Sequence, residues 1–299
     1  HLLLIASSVA VGCCQAADAA NNSARTPRAS AIGAEASFQR GWDFLHGENA
    51  PQNDEEAAKW YRRAADLGHA EAQLGLGFLY SMGRGVERNL KKAAQWYRKA
   101  AQQGNPNAQC TLGWSYVYGE GVEQDSARGV AWFQKAADQG HTLATYALGI
   151  CYARGDGVTR DPAKAAACYR EAAREGMARA QFELGLAYAH GDGVKQDYGE
   201  AVAWYTRAAQ QGLATAQCTL GVCYFEGKGV KRDVVEALRW YKAAARHGNA
   251  GALYNIGRIY EEGELAKRNI IEAVKWYRDA ARRGLAAAQY RLGVCYAEG

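Results

Sequence analysis

The sequence has little proline and no strong excess of one charge. Proline occurs four times in 299 residues, whereas glycine occurs 34 times, a composition that suits closely packed helices joined by tight turns. The net charge is +5, and basic and acidic residues are mixed along the chain. We therefore expect solvated helix faces, and no basic stripe indicates a nucleic-acid partner.

The motifs of common enzyme and metal sites are also missing. The chain has no His-Glu-x-x-His, no Gly-x-Ser-x-Gly, no phosphate-binding loop and no Cys-x-x-Cys. Histidines are few, and His69 and His141 are interpreted as surface residues rather than ligands. The sequence thus predicts a protein that is not an enzyme and that holds neither a metal nor a cofactor.

The N-terminal apolar run, residues 2–12, is shorter than the ~20 residues that a membrane-spanning helix needs. It fits the end of a secretory signal whose basic start is missing, in a chain that begins with His1 and so inside a longer reading frame. Residues around Cys13 resemble a lipobox, which predicts a lipidated cysteine. Ordinary cleavage between Ala16 and Ala19, or an apolar end without a targeting role, are the alternatives. Residues 1–16 are assigned to the signal and residues 17–33 to a flexible linker.

An aromatic pair returns every 36 residues over the rest of the chain. Ala-Ala follows four residues after its first member, and a glycine follows eight residues after it. The pairs are Trp60-Tyr61, Trp96-Tyr97, Trp132-Phe133, Cys168-Tyr169, Trp204-Tyr205, Trp240-Tyr241 and Trp276-Tyr277. A period of this size predicts a solenoid. It covers residues 34–299, with seven full repeats and a truncated eighth.

Each repeat is expected to contain two helices. The first, here called the LG helix, places Ala72, Leu76 and Tyr80 on one face, and Gly77 allows a neighbouring helix to approach closely. A Gly-x-Gly-Val turn ends it. The second, here called the WY helix, starts at an Asp or Asn N-cap and carries the aromatic pair. The N-caps are Asn53, Asn89, Asp125, Asp161, Asp197, Asp233 and Asn269.

Three further expectations concern the WY helix. Glu56, Glu200, Glu236 and Glu272 stand three residues after their N-caps, as in a capping box. The Trp-Tyr pairs are expected to be buried between stacked repeats, where they stabilise the architecture. Cys168 replaces a tryptophan, which predicts a weaker joint or a compensating neighbour.

The pattern A-x-x-x-L-G-x-x-Y-x-x-G-x-G-V, then Asp or Asn, then A-x-x-W-Y-x-x-A-A-x-x-G, resembles the Sel-1-like repeat, a relative of the tetratricopeptide repeat. The resemblance implies an all-α, right-handed superhelical solenoid of antiparallel helix pairs. Arg40 departs from it in a leucine position, as do residues 48–50 and 264–266, which lack the second glycine of the turn. Gly299 is the first glycine of a turn, after which the family pattern would continue.

The resemblance also implies a non-enzymatic scaffold or adaptor that binds a protein or peptide, and often one that is exported. Export to the periplasm, the outer membrane or the medium is expected here, and a cytoplasmic location if the apolar run is not a signal. A lipid on Cys13 would be the contact with a membrane. One alternative is an envelope lipoprotein that supports an outer-membrane or polysaccharide-secretion complex. A secreted, cysteine-rich hydrolase is another, for which the sequence shows no polar catalytic cluster.

In related superhelices the first helix of each pair lines the concave face, so partner-binding residues are sought on the LG helices. Two positions that vary between repeats give Phe78, Met82, Trp114, Tyr118, Arg154, His190, Glu226 and Glu262. This set predicts an apolar patch in the early repeats and an acidic stretch in the late ones, suited to a peptide with an apolar and a basic end. Alternatively, the apolar residues pack between repeats and the charges are only solvated.

The cysteines also leave two interpretations open. Cys151, Cys223 and Cys295 share one position of the LG helix, where other repeats have Leu79, Ser115, Ala187 and Ile259, which favours buried free thiols. Cys151 and Cys168, on facing antiparallel helices, are the one pair for which a disulfide is worth testing.

Overall fold

The computed structural model describes residues 29–265 and 267–297, and these residues form two compact units that divide between Arg160 and Asp161, here called unit 1 and unit 2. The division falls inside the fourth repeat, whose WY helix carries Cys168 in place of tryptophan. Fifteen helices and no strands occur in the described part. Helices that follow one another in the chain pack against each other within each unit, so the predicted all-α solenoid of helix pairs is confirmed.

Unit 1 contains three complete helix pairs and the LG helix of the fourth repeat. Its helices are α1 Ala29–His46, α2 Asp54–Asp66, α3 Ala70–Met82, α4 Leu90–Gln102, α5 Pro106–Tyr118, α6 Ser126–Ala137 and α7 Thr142–Arg154. The odd-numbered helices are LG helices and the even-numbered ones are WY helices. α1 begins inside the expected linker, because the alanine-rich stretch that starts at Ala29 continues the helical pattern with residues of high helix propensity.

Unit 2 begins with the WY helix of the fourth repeat and ends with the LG helix of the eighth. Its helices are α8 Pro162–Arg174, α9 Ala178–His190, α10 Tyr198–Gln210, α11 Ala214–Glu226, α12 Val234–Arg246, α13 Ala250–Glu262, α14 Ile270–Arg282 and α15 Ala286–Ala297. The alternation of LG and WY helices continues here with α9 as an LG helix.

The expected N-caps of the WY helices are confirmed in all seven copies. The side chain of Asp125, for example, accepts a hydrogen bond from the backbone N–H of Arg128 at 3.0 Å, and the other six caps behave in the same way. The second half of the predicted capping box, a hydrogen bond from the N-cap N–H to the glutamate side chain, is wrong. That N–H already donates to a carbonyl of the preceding LG helix. The N–H of Asn53, for example, donates to the carbonyl of Phe44 in the preceding LG helix, at 2.8 Å. Three of the four glutamates instead form ion pairs on the surface: Glu56 with Lys59, Glu236 with Arg239 and Glu272 with Lys275.

The two members of the aromatic pair have different environments. The second member is buried: Tyr241, Tyr277 and Phe133 are at most 1% exposed. Its ring lies against the LG glycine, so that a Cβ on Gly113 would come within 2.5 Å of Phe133 Cε1. The tryptophans are only half-buried, which corrects the expectation that both members are in the core. Many of them instead stack with a cation three residues further on, as Trp96 does with Lys99 at 3.8 Å.

The second glycine of the Gly-x-Gly turn is required for two reasons. Gly121 has φ +71°, which favours glycine, and a Cβ there would collide with the carbonyl group of Leu90, at the start of the preceding WY helix. Gly85, Gly157, Gly193 and Gly229 approach the preceding WY helix in the same way. Each turn therefore rests directly on the backbone of its neighbour.

Buried glutamines connect successive repeats. Gln73 donates to the carbonyl of Ala65 at 3.0 Å, and its side-chain oxygen accepts a hydrogen bond from Gln103 at 2.8 Å. The same arrangement joins Gln109 to Gln139 and Gln181 to Gln211. At Gln217 the side-chain oxygen is buried without a partner in the described structure, where His247 stands in place of the glutamine.

His69 and His141 cap LG helices, which corrects their interpretation as simple surface residues. Nδ1 of His141 accepts a hydrogen bond from the backbone N–H of Ala144 at 3.2 Å, and Nε2 lies 3.0 Å from Oδ1 of Asn107. Asn105 and Asn249 perform the same capping in other repeats. Since this position also holds Met177 and Leu213, its sequence pattern does not reveal the cap.

Candidate functional site

The predicted partner-binding residues occupy two positions of the LG helices with different exposure. Met82, Tyr118, Arg154, His190, Glu226 and Glu262 are each the last residue of their helix, and none of the six side chains is buried. A glycine with positive φ follows each of them and turns the chain away. The helix ends of each unit therefore present the varying side chains to solvent, while Phe78 and Trp114 lie one turn further inside.

An aromatic stack in unit 1 joins the surface to the core. Tyr118 is 44% exposed, and its ring lies parallel to that of Trp114, with 5.4 Å between the centroids and 9° between the planes. Trp114 is 6% exposed and meets Phe133 edge to face at 4.9 Å. Trp114 is therefore buried and Tyr118 is not, and the contact of Trp114 with Phe133 lies within one repeat. The exposed tyrosine is held in one orientation by a buried support.

Arg154 lies close enough to influence Tyr118. Burial raises the pKa of Tyr118, and the positive charge of Arg154 opposes that rise. Arg154 has no ion-pair partner among the described residues, so its guanidinium group is available to a ligand. An aromatic ring and an unpaired cation thus stand at the ends of α5 and α7.

Two neighbouring side chains extend or support this surface. Met82 is 39% exposed at the end of α3, in the position equivalent to Tyr118. Phe78 is half-buried and packs against the hydrophobic core of the first repeats. The indole Nε1 of Trp114 is buried without a conventional hydrogen-bond partner in the described structure and lies near the thiol of Cys110. Burial raises the pKa of Cys110 to about 12, so it is a thiol at neutral pH.

In unit 2 the predicted acidic residues are already paired within the chain. Glu226 lies 2.8 Å from Nζ of Lys228, and Glu262 lies 3.0 Å from the guanidinium group of Arg258. His190 lies 4.0 Å from Asp192. These ion pairs largely neutralise the acidic stretch expected for the late repeats. The repeat pattern does not fix the basic residues at these positions, so the sequence did not predict the pairing.

Unit 2 contains a buried ionic cluster that the sequence pattern did not predict. Glu261, 8% exposed, accepts hydrogen bonds from the hydroxyl of Tyr277 at 2.5 Å and from Arg291 at 2.6 Å. Burial raises the pKa of Glu261, but these two hydrogen bonds outweigh it and leave the pKa below its usual value. The cluster links α13, α14 and α15. Residue 261 corresponds to Val117 and Phe225 in other repeats, so no periodic signal marks it.

The three cysteines of the shared LG position are buried, as predicted: Cys151, Cys223 and Cys295 are at most 8% exposed. Burial also raises the pKa of Cys168 to about 11. Cys151 and Cys168 belong to different units, and a disulfide between them stays a prediction. Cys13 lies outside the described residues, as does the expected signal.

The described residues contain no group of three His, Cys, Asp or Glu side chains that could hold a metal ion. None of their helices is both long and apolar enough to cross a membrane.

Comparison with known proteins agrees with the fold. A protective antigen from uropathogenic Escherichia coli with an SLR fold is 35% identical, with a TM-score of 0.79 over 89% of this chain, which spans 57% of the antigen. A Sel1 repeat protein from Oxalobacter formigenes is 33% identical, with a TM-score of 0.74 over 88% of this chain and 77% of the other. No curated protein is significantly similar to the chain.

The family model of the Sel1 repeat matches eight consecutive segments. They are residues 34–69, 70–105, 106–141, 142–177, 178–213, 214–249, 250–285 and 286–299. Proteins of this family are generally scaffolds for protein interactions. The match extends over most of the sequence, and the chain belongs to the Sel1 repeat family.

Proposed function

We propose that this protein is a non-enzymatic scaffold that binds a protein or peptide through the LG-helix ends of unit 1, centred on Tyr118. The observation that carries the proposal is the exposed ring of Tyr118 stacked on the buried ring of Trp114. An aromatic side chain that is already fixed loses little conformational entropy when a partner covers it. Tyrosine and tryptophan in such positions frequently dominate the energy of protein interfaces.

The surroundings of Tyr118 indicate the chemistry of the partner. Met82 offers a flexible apolar contact on one side, and Arg154 offers an unpaired cation on the other. A segment with an apolar or aromatic side chain and a nearby carboxylate complements these groups. The basic end that the sequence predicted for the peptide has less support, since Glu226 and Glu262 are paired with Lys228 and Arg258.

The experiment is selection of binding peptides from a displayed library with the full chain, followed by affinity measurement with variants. Tyr118→Ala removes the exposed ring and leaves the core intact, whereas Trp114→Ala would also disturb the contact with Phe133. Tyr290→Ala is the matched control, because Tyr290 is 71% exposed on α15, another LG helix. We expect Y118A to weaken binding by at least about 30-fold, the effect of a hot-spot residue. Y290A should bind as the wild type does, and unchanged affinity of Y118A would contradict the proposal.

Export belongs to the proposal as a separate part. It is supported by the apolar run of residues 2–12 and by the lipobox-like sequence at Cys13. Mass spectrometry of the mature N-terminus distinguishes the forms. A diacylglycerol-modified Cys13 supports the envelope lipoprotein, and an unmodified start between Ala16 and Ala19 supports ordinary secretion. An intact residue 2–12 segment in the mature protein would contradict both.

A further inference from the structure

Three lysines recur at one position of the turns in unit 2. Lys195, Lys231 and Lys267 each stand two residues before the N-cap of a WY helix. The equivalent residues of unit 1 are Pro51, Glu87, Glu123 and Thr159. The period alone does not require a base here, so the lysines are a property of the late repeats.

Apolar side chains project beside these lysines. Tyr198 is the first residue of α10 and is 40% exposed, and Val235 and Ile271 are the second residues of α12 and α14 and are 68% and 77% exposed. At the second helical position, unit 1 has Glu55, Lys91 and Ala127. Large apolar residues exposed to this extent in successive repeats are unusual on a surface that faces only water.

The turns that carry these residues are contiguous. A Cβ on Gly229 would collide with the carbonyl group of Tyr198, which places the turn containing Lys231 directly on the start of α10. Arg232 of that turn lies 2.6 Å from Glu264 of the next one. Residues 195–198, 231–235 and 267–271 thus form one row, here called the turn edge.

The turn edge has an excess of positive charge. None of the three lysines has an ion-pair partner among the described residues. Asp197 and Asp233 cap helices and keep their negative charge, whereas Glu236, Glu264 and Glu272 pair with Arg239, Arg232 and Lys275. Glu200 is the exposed carboxylate that remains at α10, and Asp192 lies near His190. Arg268 adds a further cation.

From this arrangement we propose that the turn edge binds the surface of a membrane that contains anionic phospholipids. Val235 and Ile271 protrude rather than line a recess, so they can enter the headgroup region of a lipid layer but offer no groove to a peptide. The lysines complement the phosphate groups, and each basic residue near such a surface increases binding about fivefold. Tyr198 has the ring and hydroxyl that suit the boundary between headgroups and acyl chains. The partner surface around Tyr118 is not involved.

Sedimentation of the full chain with vesicles tests this proposal. The vesicles contain phosphatidylglycerol and phosphatidylcholine in equal amounts, or phosphatidylcholine alone. We expect binding to the anionic vesicles, weakened by added salt. The variant K195Q/K231Q/K267Q removes three charges. Because each lysine contributes about fivefold, the partition coefficient should fall about 100-fold. The control K91Q/K135Q/K242Q loses the same charge elsewhere and should bind as the wild type does.

Val235→Ser/Ile271→Ser tests the apolar part separately, and we expect a loss of about tenfold. Far-ultraviolet circular dichroism of each variant verifies that the helices are intact. The proposal would be overturned if the wild type bound equally to both kinds of vesicle. It would also be overturned if K195Q/K231Q/K267Q and its control bound equally to anionic vesicles. Binding of polyglutamate without binding of anionic vesicles would also overturn it, in favour of an acidic protein partner.

Discussion

The ring of Tyr241 lies against Gly221 so closely that a Cβ on the glycine would come within 2.6 Å of Cε1. The same contact joins Gly77 to Tyr97, Gly113 to Phe133, Gly185 to Tyr205 and Gly257 to Tyr277. Each LG helix thus approaches its WY helix at the distance that a missing side chain permits. This contact, repeated along both units, determines how the two helices of a pair pack.

Gly221→Ala is expected to destabilise unit 2 by about 1–3 kcal/mol, the range for overpacked cores. The ring of Tyr241 is buried and cannot move away without opening the helix pair. Gly293→Ala is the control, since Gly293 occupies the same repeat position but a Cβ there would meet nothing within 4 Å. It should stabilise the helix by about 0.5–1 kcal/mol. Urea unfolding followed by circular dichroism measures both, and equal effects would show that the contact is not limiting.

Gly121→Ala is expected to cost more than Gly104→Ala, although both glycines have positive φ. A Cβ on Gly104 would meet nothing within 4 Å, so its alanine variant bears the backbone cost alone, about 1–2 kcal/mol. At Gly121 the new methyl group also collides with the carbonyl of Leu90. We expect a loss at least about twice as large there. Thermal unfolding of the two variants provides the comparison, and similar midpoints would contradict the close approach.

His141 makes stability depend on pH. Burial lowers its pKa in the folded chain, so the unfolded chain binds a proton more readily as the pH falls through about 6.5. The contribution of His141 to the free energy of unfolding is therefore fully present at neutral pH. It decreases as the pH falls below about 6.5, until the lowered pKa of the folded chain is passed. Protonation of Nδ1 would also remove the cap of α7, worth about 1 kcal/mol.

His141→Asn preserves the cap and should remove this part of the pH dependence, because Asn105 and Asn249 cap in the same way. Unfolding free energies between neutral and mildly acidic pH measure the slope. The explanation fails if H141N retains the full slope.

Glu261→Ala should destabilise the end of unit 2 by about 2–4 kcal/mol, because Arg291 and the hydroxyl of Tyr277 would lose their common acceptor. Glu56→Ala, which removes an exposed ion pair with Lys59, should cost at most about 0.5 kcal/mol. Since the pKa of Glu261 is lowered on folding, its contribution is present above about 4.3 and is lost as the pH falls through the folded pKa. Hydrogen exchange of α15 amides measures the local effect, and equal protection in E261A and E56A would exclude it.

The sequence predicted the features of the fold that recur with the period. The N-cap Asp125 and the close glycine Gly113 have visible counterparts in other repeats, and both have the expected roles. The two members of a Trp-Tyr pair project about 100° apart on the helix. The alanines three and four residues on either side of Tyr61 share its face, so helical periodicity identifies the tyrosine as the buried member. The cluster of Glu261 and Arg291 occurs once and joins residues 30 positions apart, so only the structure reveals it.

The candidate site was predicted in position but not in detail. The variable ends of the LG helices are accessible, as expected for Tyr118 and Arg154. The burial of Trp114 and the pairing of Glu226 with Lys228 depend on rotamers and on neighbours outside the repeat pattern. Such interactions are specific to single positions, and a periodic sequence gives no information about them.

The glutamine contacts have a consequence for how such a chain can evolve. The side-chain amide of Gln109 donates to a nearby backbone carbonyl, and its side-chain oxygen accepts a hydrogen bond from Gln139, 30 residues later. No buried polar group in this arrangement depends on a distant repeat. Duplication or deletion of one whole 36-residue unit, within which each pairing is renewed, leaves the donors and acceptors of the remaining units matched. Unequal recombination between repeats that carry this glutamine pair can therefore lengthen or shorten the protein while these buried glutamines keep their partners. Selection is then free to act on the side chains at the helix ends.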